Sequence, residues 1–110
     1  MPDKEIEALL ACFIERLSPE RIYLFGSYAD DTYSEDSDID FYIVVRNDVS
    51  DLAGETTEAY KAIRHIKQKP VDIIVGTAKW FESRKDGLTV ENEVYRKGKL
   101  LYESGNKRVA

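Results

Sequence analysis

Between Asp3 and Leu17, apolar side chains recur at Ile6, Leu9, Leu10, Phe13, Ile14 and Leu17. That i, i+3, i+4 spacing predicts an amphipathic helix with one stripe turned to a core. Ser18-Pro19 should stop it, because the residue before a proline is pushed out of the helical region. Arg21 to Phe25 is short, β-branched and aromatic, and runs into Gly26-Ser27, which reads as a buried strand. Tyr28 to Ser37 is polar and acidic, hence a loop. Asp38 to Val45 predicts a second strand, closing in the β-prone run Phe41-Tyr42-Ile43-Val44-Val45.

A turn-rich Asn47 to Ser50 precedes a second helix, expected from about Leu52 to Gln68. Its weaker stripe is Leu52, Thr56, Ala59, Tyr60, Ile63 and Ile66. Pro70 then opens a third strand, Val71 to Val75. Short helices are expected at Thr77 to Ser83 and Thr89 to Lys97. Gly98 is placed as the C-terminal cap of the latter, with Arg96 and Lys97 suited to the helix dipole. Leu100-Leu101-Tyr102 should add an edge strand. The expected organisation is one domain over residues 1–104 and a frayed tail over 105–110. The first two strands can pair as a loose hairpin, and the helix between strands two and three allows a parallel crossover. The expected class is α/β (α+β), a mixed sheet with helices mainly on one face.

With 110 residues, 43% hydrophobic and 34% charged, the chain is globular and can bury one core. It leaves no room for a separate substrate domain, so a substrate or partner would complete any active site. A net charge of −5 and pI near 4.9 disfavour binding to nucleic acid through bulk charge. A nucleotide remains admissible, since a metal ion can bridge acid to phosphate. Cys12 is the only cysteine, which excludes an internal disulfide. The charged stretch Met1 to Glu7 lacks the apolar region of a signal peptide, and no apolar run is long enough for a bilayer. A cytoplasmic setting, without membrane attachment, is expected.

Asp38 and Asp40 change the picture. Residues two apart in a strand share a face, so both carboxylates point one way, roughly 6–7 Å apart at the backbone, while Ile39 and Phe41 point the other. Aspartate is depleted in strands. From Asp30 to Asp40 there are six acids and no lysine or arginine. A divalent cation between the carboxylates would explain the arrangement, because Mg²⁺ takes hard oxygens from one or two carboxylates plus phosphates and water. For the pair alone, a loop residue followed by a solvent-facing strand residue fits as well. Asp72, an acid inside Val71-Asp72-Ile73-Ile74-Val75, shifts the balance. If strands two and three are neighbours, it reaches the same face, and three such carboxylates suit a two-metal site. Gly26-Ser27 would let a backbone approach phosphate and offer a hydroxyl and an N–H.

Leu24-Phe25-Gly26-Ser27-Tyr28-Ala29, followed by Ser37-Asp38-Ile39-Asp40-Phe41, resembles the signature of the DNA polymerase beta-like nucleotidyltransferases. Within them it is similar to the minimal nucleotidyltransferases (MNT) encoded beside helical HEPN partners. The stretch from Val94 to Glu103 looks like the usual MNT ending, so the resemblance covers nearly the whole chain. It implies transfer of AMP from ATP to a hydroxyl, with release of pyrophosphate. Asp38, Asp40 and Asp72 would be catalytic and would bind two Mg²⁺ ions, Asp72 could help deprotonate the acceptor, and Gly26 and Ser27 would hold the triphosphate. It also implies a HEPN-type toxin partner, neutralised as by an antitoxin, in some members by AMP added to a toxin tyrosine. One departure stands out: where this group often carries Arg-Gly after the Gly-Ser turn, Asp30-Asp31 stand here, adding repulsion towards ATP.

A catalytically weak or inactive antitoxin acting by complexation is the alternative. A small-molecule transferase is disfavoured by the absent second domain. Homo- and hetero-oligomers both stay open. The single histidine, His65, has no cysteine or histidine partner in sequence. Cys12, Trp80 and Phe81 are expected to pack in the core. Arg84, Lys85, Arg96, Lys97 and Lys99 form a solvated basic face, or one that orients a nucleotide or partner.

Overall fold

The computed structural model describes residues 4–105. Helix α1 spans Lys4–Leu17, strand β1 Arg21–Phe25 and strand β2 Ile39–Val45, with a 3-10 turn at Gly26–Tyr28 between the strands. Helix α2 spans Leu52–Ile63, strand β3 Val71–Thr77, helix α3 Ala78–Arg84, helix α4 Val90–Lys97 and strand β4 Lys99–Glu103. The expected α1 start at Asp3, and the expected tail beyond Gly105, lie outside the described residues.

The four strands form one mixed sheet in the order β3-β2-β1-β4. Antiparallel pairing sets Tyr23 opposite Tyr42 and Phe25 opposite Asp40. The α2 crossover makes β3 parallel to β2, with Ile39 opposite Val71 and Asp40 opposite Asp72. β4 closes the other edge, antiparallel to β1. Alternation divides the core into two layers. Ile22, Leu24, Ile39, Phe41, Ile43, Val71 and Ile73 meet the stripes of α1 and α2. Phe13 meets Phe41 edge to face at 5.0 Å and 77°. Tyr23, Tyr42 and Val44 meet Phe81 of α3 and Val94 of α4 on the opposite face. The larger core and both longer helices thus share one face, as expected, and the two short helices cover the other.

Helix α2 ends five residues before the expected Gln68. The N–H groups of Ile66 and Lys67 both turn back to Ile63 O, at 3.0 and 2.9 Å. Those of Gln68 and Lys69 are then taken by the Glu5 carboxylate of α1, at 2.6 and 3.2 Å. The apolar period ran on through Ile66, but the backbone donors found a stronger, charged acceptor. Ile66 is left 40% exposed. Gly98 caps α4 as expected, though not in the left-handed form. Its φ is −75°, and a Cβ there would come within 2.5 Å of Val94 O and 3.0 Å of Leu24 O. Close approach to the Val94 carbonyl of α4, and then to β1, requires glycine here, rather than positive φ.

Candidate active site

The start of β2, the start of β3 and the end of β1 meet at one end of the sheet. Direct register places Asp40 beside Asp72, on the face that carries Tyr42 and Ile74. Asp40 is partly buried, while Asp72 and Asp38 are exposed, Asp38 one residue ahead of β2. The Asp40 carboxyl is pushed up to about 6, first by burial, then by the charges of Asp72 and Asp38, a hydrogen bond to Asp72, and the charge of Glu93 on α4. All three sequence-singled aspartates therefore act on one another here. Among the described residues, none of them is in a salt bridge.

The Gly26 turn faces the same carboxylate. Its φ of +74° is in the left-handed region, and a Cβ there would collide with Asp40 Oδ2 and lie 3.3 Å from its Cγ. Only glycine suits both demands. Gly26 O accepts from the N–H groups of Ala29 and Asp30 at 3.0 and 3.3 Å, and Ser27 O from Thr32 N at 3.0 Å. The Ser27 hydroxyl makes no hydrogen bond among the described residues. Tyr28 anchors the loop: it is 4% exposed, stacks on Tyr33 at 4.3 Å, and its hydroxyl accepts from Lys69 Nζ at 2.6 Å. Lys69 lies just ahead of β3, so the turn is tied to the strand bearing Asp72.

Asp30 and Asp31 are engaged locally. Thr32 donates to Asp30 Oδ1 through its hydroxyl at 2.5 Å and its N–H at 3.2 Å. Those bonds hold the Asp30 carboxyl below its ordinary range against slight burial, helped by the charge of Lys97. Asp31, at φ +63°, pairs with Lys99 Nζ at 3.8 Å.

Behind the acids lies a polar network that the sequence reading missed. The Tyr42 hydroxyl donates to Glu91 Oε2 at 2.7 Å, and Arg84 Nε to Glu91 Oε1 at 3.1 Å. Glu91 is 3% exposed. Burial would raise its carboxyl, but Tyr42 and Arg84 hold it below the ordinary value. Burial, then the bond to Glu91, pushes the Tyr42 phenol far up. Gly76 makes room, since a Cβ there would strike the Tyr42 hydroxyl. Beside this network a groove of about 560 Å³ runs along α4, lined by Glu93, Arg96 and Lys97 among others.

Other expectations resolve unevenly. Cys12 packs against the larger core and Phe81 is fully buried, but Trp80 is 49% exposed. The Arg84 guanidinium covers its ring at 4.5 Å, which lets the indole stay at the surface. His65 is exposed.

The donor set suits a hard divalent cation in part. Asp40 and Asp72 offer adjacent hard oxygens without a cationic partner among the described residues, and a cation would relieve the repulsion between their charged forms, which fits the one or two carboxylates Mg²⁺ commonly takes. Among the described residues no three acids converge tightly enough to hold an ion by themselves. The remaining positions would fall to phosphate and water.

The fold is thus a small mixed sheet with an acid pair on adjacent parallel strands beside a Gly-Ser turn. The profile of the nucleotidyltransferase domain matches residues 6–100, so the chain belongs to that family. No curated protein matches it significantly. One similar solved structure is a toxin-antitoxin with AMP-PNP, 25% identical with a TM-score of 0.55, covering 96% of this chain and 76% of that one. Two others share the fold. A protein from Sulfolobus solfataricus described as a nucleotidyltransferase is 18% identical, with a TM-score of 0.54 over 99% of this chain and 96% of that one. A mutant of the toxin-antitoxin MntA-HpeT is 22% identical, with a TM-score of 0.53 over 96% and 76%.

Proposed function

We propose that this protein is a Mg²⁺-dependent nucleotidyltransferase antitoxin, transferring AMP from ATP to a hydroxyl, a tyrosine of a HEPN-type helical toxin, in the cytoplasm. The observation that carries this reading is the Asp40–Asp72 pair, in register on parallel strands with the Gly26 turn pressed against it. Family membership supports nucleotidyl transfer. The toxin-antitoxin structure with AMP-PNP supports the nucleotide and the partner.

In this reading Asp38, Asp40 and Asp72 would hold Mg²⁺ jointly with phosphate and water, which would fill the positions the carboxylates leave open. When bound, Mg²⁺ would shield phosphate charge and ease attack by the acceptor oxygen. Gly26 and Ser27 cradle the triphosphate through backbone N–H groups and the unengaged hydroxyl. Asp72 is exposed at the strand start, where an incoming hydroxyl could reach it, and it would take the acceptor proton. The acceptor's oxygen bonds to the α-phosphorus, and pyrophosphate leaves. A protein acceptor would supply the second wall of the site.

The test incubates the protein with α-labelled ATP, Mg²⁺ and the product of its neighbouring gene. Label should appear on the neighbour and vanish with Asp38→Ala/Asp40→Ala. Tight complex formation without label, unchanged by that double variant, would replace catalysis with neutralisation by binding.

A further inference from the structure

We infer that Lys69 is a positioning residue for this site, fixing the Gly26-Ser27 turn against the aspartates by anchoring Tyr28. The inference rests on the nucleotidyl-transfer reading above and deepens it.

Sheet pairing alone does not place the turn. On β1 the pairing with β2 ends at Phe25, opposite Asp40, and the next residue has a left-handed backbone. Gly26 O then accepts from Ala29 N and Asp30 N, and Ser27 O from Thr32 N. These bonds lie within the loop, so they fix its shape rather than its place against β2 and β3. Yet the place is exacting, since Gly26 is pressed against the Asp40 carboxylate. A second anchor beyond Ser27 is needed, and Tyr28 supplies it. Its ring is buried in the α1/α2 layer, and the ring of Tyr33 from the returning loop stacks on it, 8° from parallel. Its hydroxyl accepts from the Lys69 ammonium at 2.6 Å, a charge-assisted bond of the stronger kind. Ser27 is thus held from both sides, by strand pairing before it and by Lys69 after it.

Lys69 is itself well placed to serve as an anchor. Pro70 disfavours the helical region for it. Its N–H and that of Gln68 donate to the Glu5 carboxylate of α1. Pro70 O accepts from Ile39 N at 3.0 Å, and Ile39 separates Asp38 from Asp40. Asp72 follows two residues after Pro70. One short segment therefore meets the turn, the start of β2 and the start of β3, the three places that carry the site. Lys69 does not face the aspartates, because Tyr28 belongs to the layer on the other side of the sheet. It acts through the backbone of the turn. A buried hydroxyl in need of a partner would account for the bond by itself. It would not require the donor to come from the segment that also orders β2 and β3.

The test is calorimetric titration with Mg²⁺ and an ATP analogue carrying a methylene between the α and β phosphates, so that binding is read without turnover. Tyr28→Phe and Lys69→Met should each raise Kd by about tenfold, the scale on which outer partners of a binding site act. Lys69→Arg should restore most of the affinity. The double variant Tyr28→Phe/Lys69→Met should bind no worse than either single one, since both remove the same bond. Should Lys69→Met not fold, as its ligand-free melting curve would reveal, Tyr28→Phe decides by itself, because it keeps both the ring and the lysine. Wild-type affinity in Tyr28→Phe would overturn the inference, leaving the bond a matter of stability alone. Additive losses in the double variant would overturn it too, since the lysine would then act by its charge and not through Tyr28. Either result, with the wild type binding, leaves nucleotidyl transfer standing. No binding by the wild type would overturn both readings.

Discussion

Asp40 is a poor resident of its own strand. Burial and two neighbouring carboxylates raise it to about 6 from an ordinary 3.8. Between those two values the folded protein holds a proton that the unfolded chain has lost, so stability falls as pH rises through that window. After discounting for solvent access, the effect is about 1–2 kcal/mol at neutral pH. Asp40→Asn should therefore raise the urea midpoint of the metal-free protein at pH 7, and by only about a third as much at pH 4.5. The same variant should abolish label transfer. Equal denaturation midpoints for wild type and variant at pH 7 would show that the pair is not under repulsive strain. Gly26 carries the complementary constraint. Gly26→Ala meets both a left-handed backbone and the Asp40 carboxylate, and should cost about 1–3 kcal/mol, measured by chemical denaturation.

At the scale of elements, α4 is tied to the sheet through Glu91. Its folded carboxyl titrates below the ordinary 4.5, so its contribution is present above that value and is lost as pH falls through the depressed one. Asp40 and Glu91 thus act in opposite directions: Glu91 adds stability as pH rises towards about 4.5 and adds no more above it, so the metal-free protein should lose stability between about pH 4.5 and 6 as Asp40 ionises. Glu91→Ala strips the buried Tyr42 hydroxyl of its acceptor and frees Arg84, which is exposed enough to turn to water. The expected loss is about 2–3 kcal/mol, with a smaller loss for Tyr42→Phe, both read from denaturant melts.

The elements were legible where local pattern and tertiary packing agree. Arg21–Phe25 is a strand because its side chains suit a pleated, buried surface. From Phe41 to Val45, β2 shows as an unbroken apolar run because helices cover both its faces. The crossover helix allows β2 and β3 to be parallel, but that they are neighbours with Asp40 level with Asp72 is set by the sheet register. What stayed hidden was decided by distant partners. The end of α2 depends on Glu5, the Tyr42–Glu91–Arg84 network joins residues 49 apart at its first bond, and Lys99 meets Asp31 only once β4 docks on β1. No spacing rule carries such pairings.

The whole molecule has a radius of gyration of 13.0 Å, about the 13 Å expected of a single folded unit this long. Among the described residues no helix is long and apolar enough to cross a membrane. Its net charge of −5 sets how a nucleotide can approach. ATP alone meets Asp38, Asp40, Asp72 and Glu93 without a metal ion between them and should bind weakly. Mg²⁺ alone gains two adjacent carboxylates, but among the described residues no third acid closes around it. Together each removes the other's penalty, because phosphate completes the coordination and the ion neutralises the repulsion. A ligand at a hundred times its Kd stabilises by about 2.7 kcal/mol, on the order of a 10 °C rise in melting temperature for a domain this size. Thermal melts at pH 7 should thus show a rise with Mg²⁺ and ATP together that exceeds the sum of the separate rises. Asp38→Ala/Asp40→Ala should flatten it. Additive shifts, or a shift that survives the double variant, would place the nucleotide elsewhere on the molecule and detach the acids from its binding.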